Sequence, residues 1–101
     1  MPRPTFGTLG DLDANGSGTE VRVQQLEELA VLVAGDQDGV VDIEVRFTTD
    51  QDWESVKQFS AGTGGVYEPQ FPIFEVRATL SSNSTGTAKV RYSGRDHDKA
   101  G

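Results

Sequence analysis

The 101-residue sequence predicts an all-β fold: an antiparallel β-sandwich or jelly-roll-like single domain with a flexible N-terminal arm. Three observations predict it. Apolar and polar residues alternate in several short runs, most clearly Val41, Ile43, Val45 and Phe47 against Asp42, Glu44, Arg46 and Thr48. That period of two belongs to a strand with one buried and one wet face. Twelve glycines punctuate the chain, mostly between those runs, as a turn-rich sheet protein requires. The length suits one core, burying about 65% of the unfolded surface.

Charge and composition narrow the function. Nine Lys and Arg stand against 16 Asp and Glu, a formal net charge of −7, which repels phosphate backbones and anionic membranes. Neither nucleic acid nor a membrane is expected as a partner. No cysteine is present, so neither disulfides nor thiolate metal sites are available, and a reducing compartment suits the chain. The first residues, Met-Pro-Arg-Pro-Thr-Phe, lack the apolar run of a secretory signal, and residues 29–34 are too short to cross a bilayer. A soluble, untargeted protein is expected.

Taken in order, residues 1–18 carry two prolines and a Gly, Asn and Asp-rich stretch, and read as a loose arm with one short strand over residues 5–9. The sandwich is expected over 19–94 and a polar tail over 95–101. Residues 19–24 alternate, with Val21 and Val23 on one face. Residues 26–34 fit two patterns. Leu26, Leu29, Ala30 and Val33 form a helical stripe ending at Gly35. A strand over 29–33, apolar on both faces and preceded by a turn at 25–28, is the favoured reading, because the Gly-Asp-Gln-Asp-Gly turn at 35–39 then leads into the Val41 strand as a hairpin.

Beyond the turn at residues 49–52, Trp53, Val56 and Phe59 alternate imperfectly, which a strand with a bulge or a twist accommodates. Pro69 and Pro72 mark residues 67–72 as an edge or connection, since each removes a ladder donor. Phe74, Val76, Ala78 and Leu80 make a second clear strand, and Ala88, Val90 and Tyr92 a last one. On the wet faces Glu44, Arg46, Glu75, Arg77, Lys89 and Arg91 can pair across strands, each exposed pair contributing about 0.2–1 kcal/mol.

No motif carries chemistry, so no enzyme, cofactor or resident metal is expected. Asp11, Asp13 and Asn15-Gly16 open like a calcium loop, but Arg22 stands where its bidentate Glu belongs, and an Asx-type turn explains the run better. Asp36, Asp38, Asp50 and Asp52 read as turn formers rather than as an acid/base pair. His97, between Asp96 and Asp98, sits in the polar tail, away from any recognisable triad. Asn15-Gly-Ser and Asn83-Ser-Thr match the glycosylation pattern, a chance match where no secretory signal is expected. Of the aromatic group, Phe74 reads as core, Trp53 as core or stacking surface, and Tyr67 and Phe71 equally as core or interface.

Three pieces carry a family resemblance. They are residues 14–23 (Ala-Asn-Gly-Ser-Gly-Thr-Glu-Val-Arg-Val), residues 39–53 from Gly39 through the alternating strand to Trp53, and residues 74–80 followed by 86–92. Together they resemble the small virion structural proteins of tailed bacteriophages, with a departure at residues 50–52, where the turn glycine is missing. The resemblance implies a β-sandwich on the capsid surface, assembled in the host bacterial cytoplasm, that decorates or cements the major capsid protein, as a homotrimer. Its alternative is a tail, neck or fibre protein that binds carbohydrate or a receptor through Trp53, Tyr67 and Phe71. Under the first reading the expected contact residues are Thr5, Phe6 and Leu9 of the arm, with Tyr67 and Phe71 beside the prolines.

Overall fold

In the structure, a computed structural model, residues 3–96 are described, and they are all-β: nine strands in two antiparallel sheets. Strands β1 (Arg3–Leu12), β9 (Ala88–Asp96), β4 (Leu26–Gly35) and β7 (Gly65–Tyr67) form a four-stranded sheet in that spatial order. In the five-stranded sheet β8 (Glu75–Ser81) and β5 (Val40–Arg46) are central, β6 (Glu54–Phe59) is one edge, and the two-residue strands β2 (Gly16–Ser17) and β3 (Val21–Arg22) share the other. The inner faces meet as the alternation requires. Leu9, Val31, Val33, Ala88 and Val90 from one sheet, and Val41, Ile43, Val45, Val76, Ala78 and Leu80 from the other, are buried in one core.

The Val41 run is an interior strand, β5, laddered to β8 on one side and β6 on the other. Its partner β6 carries the expected bulge, with the register shifting between Ile43 and Glu44 as Lys57 and Ser55 face them around Val56. Residues 26–34 form a strand, not a helix, since β4 is laddered to both β9 and β7. It runs on both sides of the expected 29–33 and includes a bulge at Glu27 to Ala30, where Glu28 adopts φ 56°.

Three expectations are corrected. The loose arm is, from Arg3 to Leu12, an integral ten-residue strand in register with β9, and its Leu9 is fully buried. β4 and β5 are not a hairpin: they belong to different sheets, and the turn between them carries the chain across the sandwich. The polar tail begins late, because β9 continues through Arg95 and Asp96 to pair with the start of β1. His97 and Asp98 lie outside the described residues.

The crossing turn is anchored at a polar hub. Asn83 Oδ1 accepts the amides of Asp38 and Gly39 at 3.1 and 3.0 Å, its Nδ2 donates to the Gly86 carbonyl at 3.2 Å, and its own amide donates to Asn15 Oδ1 at 2.9 Å. Asp38 returns the link by accepting from the Ser84 hydroxyl and the amides of Ser84 and Thr85. These bonds favour the charged carboxylate and hold the Asp38 pKa below its ordinary value, first through the Ser84 hydroxyl and then through the two amides. Gly86 makes the close approach possible at φ 87°, where a Cβ would meet the Asp36 carbonyl.

Candidate partner-binding surfaces

The outer face of the five-stranded sheet is closed by its own charges. Arg46 and Glu75 stand opposite each other on β5 and β8, as do Glu44 and Arg77. Both pairs close, Arg46 Nε to Glu75 Oε1 at 2.6 Å and Arg77 Nε to Glu44 Oε1 at 2.7 Å, with Glu20 reaching Arg46 at 3.8 Å and Arg77 at 3.6 Å. The Trp53 ring lies against both guanidinium groups, 4.5 Å from Arg46 and 4.4 Å from Arg77. Alternation predicts the charged face; the tryptophan laid on it, delivered by the 47–53 turn, is invisible to alternation.

The outer face of the four-stranded sheet is different. Residues pointing away from the core line up across the strands as Thr8, Arg91, Leu32 and Val66, with Phe6, Ser93 and Ala30 in the next row. Phe6 is 76% exposed, Val66 58% and Leu32 45%. They border a shallow depression of about 260 Å³. Arg91 crosses it with its stem, and its guanidinium is drawn to the β1 side by Asp11 at 2.8 Å and the Thr8 hydroxyl at 3.0 Å. The sequence signal for this face was the apolar character of both sides of residues 29–33. One side fills the core and the other is open.

A second apolar surface lies at the end of the sandwich where β5, β7 and the starts of β6 and β8 meet their loops. Phe47, 54% exposed, and Phe71, 40% exposed, meet edge to face with ring centroids 6.0 Å apart. Pro72 and Ile73 separate a groove of about 390 Å³, floored by Val23 and Leu29, from one of about 380 Å³ against Phe47 and Phe74.

The expected contact residues divide accordingly. Phe6 stands on the open face. Thr5, its neighbour in the strand, turns to the opposite face and is half-buried, and Leu9 is core and out of a partner's reach. Tyr67 packs against the core, where burial pushes its phenol up, while Phe71 is exposed at the aromatic end. Trp53, Tyr67 and Phe71 therefore do not converge on one stacking platform. The run read as a calcium-loop opening is engaged otherwise, Asp11 by Arg91 and Asn15 by the Asn83 amide. Among the described residues no group of three or more His, Asp or Glu side chains gathers as metal ligands. The turn carboxylates split between opposite ends of β5, Asp36 accepting from the Thr87 amide and Asp50 from the Thr48 hydroxyl.

No family model matches the sequence, and no curated protein matches it. Among solved structures, the crystal structure of the SPBc2 prophage-derived protein YomS is similar, with a TM-score of 0.65 at 16% identity. The likeness covers 94% of this chain and 95% of that one, so the sandwich corresponds from end to end while the side chains have diverged.

Proposed function

We propose that this chain is a non-enzymatic virion structural protein of a tailed bacteriophage, acting as a capsid decoration or cement protein. The observation that carries this reading is the open outer face of the four-stranded sheet, where Phe6, Leu32 and Val66 form one apolar surface. A contiguous exposed apolar face on a folded domain marks a surface that another protein covers. The fold held in common with a prophage-derived protein supports the phage setting. Burying Phe6 alone is worth about 1.5–3 kcal/mol, so the face can dominate a small interface.

The partner in this reading is the major capsid protein, and self-association into a homotrimer multiplies three modest contacts into firm attachment. The net charge of −7 argues against packaged nucleic acid as the partner. The alternative reading, a tail, neck or fibre module binding carbohydrate, loses support because its three aromatics stand on separate surfaces.

Capsids of the phage that carries the gene, depleted of the protein, provide the test. Wild-type protein should co-sediment with them saturably, and Leu32→Glu should not, while unfolding at a similar urea concentration. No binding by the wild type, or equal binding by Leu32→Glu, contradicts the proposal.

A further inference from the structure

The aromatic end of the sandwich is a surface independent of the open sheet face, and its chemistry specifies what it fits. Phe47 and Phe71 project there as an edge-to-face pair, with Pro72 exposed beside them. They come from two loops, residues 47–53 and 68–74, that are tied down at their bases. Gln51 Oε1 accepts the amides of Phe47 and Thr48 at 2.8 and 3.1 Å, and two prolines stiffen the second loop. Rigid aromatic side chains lose little freedom on docking, which is why such residues serve as anchors.

The rim around the anchors is acidic. Asp52 and Glu54 line one depression with Phe47, Glu68 lies in the loop that carries Phe71, and none of the three is in an ion pair among the described residues. The nearby cations are already engaged: Arg46 by Glu75, Arg22 by Glu75 and the Phe74 ring, and Arg95 by Glu28. A second copy of this end would therefore bring like charge against like charge. The fitting surface is apolar at its centre and positive at its rim.

We infer that this end is a plug: Phe47 and Phe71 insert into an apolar pocket of another virion protein whose rim carries Lys or Arg, with Asp52, Glu54 and Glu68 facing those cations. The inference rests on the virion reading and adds to it a second contact, away from the open sheet face. Two surfaces on one small domain are what bridging neighbouring subunits requires.

The test uses the same depleted capsids and the full-length protein. Phe47→Ser/Phe71→Ser should weaken capsid binding about tenfold or more, since truncating a pair of aromatic anchors carries at least that loss. Asp52→Lys/Glu54→Lys/Glu68→Lys should weaken it as well, and should blunt the loss of binding that wild type shows when salt is raised about tenfold. Both variants keep the core residues, and a wild-type urea midpoint verifies folding. A photo-crosslinker at position 71 should then join the chain to one coat or neighbouring virion protein, at a segment bearing Lys or Arg. Wild type that binds while both variants bind equally well overturns the plug and leaves the virion reading intact, as does crosslinking to a second copy. Wild type that does not bind overturns both.

Discussion

At the scale of single residues, Asn83 and Asp38 show how a short polar side chain can hold the sandwich together where no ladder exists. Asn83 satisfies the amides of the crossing turn and receives support from the 13–15 loop, so three chain segments meet at one amide. Asn83→Ala leaves those two turn amides without their acceptor, and urea denaturation should show a loss of about 1–3 kcal/mol. Asp38 makes the hub sensitive to acid. Its folded pKa lies below the ordinary 3.8, so the stabilisation is present above that value and is lost as pH falls through the lower folded pKa. Urea midpoints measured from neutral pH downward should converge for wild type and Asp38→Asn below about pH 4, with wild type the more stable above it. A gap that stays constant with pH would contradict this role.

At the scale of elements, β1 carries the sharpest consequence. Arg3 to Leu12 completes the four-stranded sheet and contributes Leu9 to the core, so it cannot be removed as an appendage. Leu9→Ala should cost about 2–5 kcal/mol, whereas Phe6→Ser, three residues away on the outer face, should shift the urea midpoint little. Deleting residues 1–12 should unfold the domain; a deletion mutant with a native near-ultraviolet spectrum would contradict the placement of this strand. Much of the rest was legible in the chain. Alternation located β5, β8 and β9, and the broken spacing of Trp53, Val56 and Phe59 called for a bulge or a twist, of which β6 has the bulge.

What sequence could not show was long-range pairing. Pro4, Gly7 and Gly10 weaken local strand propensity, and only the partnership with β9, at the other end of the chain, makes that segment a strand. A Gly-Asp-Gln-Asp-Gly turn looks the same whether it closes a hairpin or crosses between sheets. The choice is made by β4 pairing with β9 and β7 while β5 pairs with β8 and β6. The candidate surfaces were half visible for the same reason. Phe6 and Phe71 could be suspected from their neighbours, but Leu32 and Val66 join Phe6 only through the ladder, and Phe47 meets Phe71 only because two loops share one end.

At the scale of the molecule, the two faces of the sandwich have opposite characters. The five-stranded sheet neutralises its outer face with paired Arg and Glu and covers part of it with Trp53, while the four-stranded sheet leaves Phe6, Leu32 and Val66 open. On this account the open face lies against the coat lattice and the charged face looks away from it. The most direct measurement is an electron cryomicroscopy reconstruction of the particle of the phage that carries the gene. Density for this sandwich is expected on the capsid exterior, with β1, β9, β4 and β7 turned toward coat subunits and Phe6 at the contact. Density confined to the tail, no density in the particle, or a capsid contact made by the Arg and Glu face would contradict it.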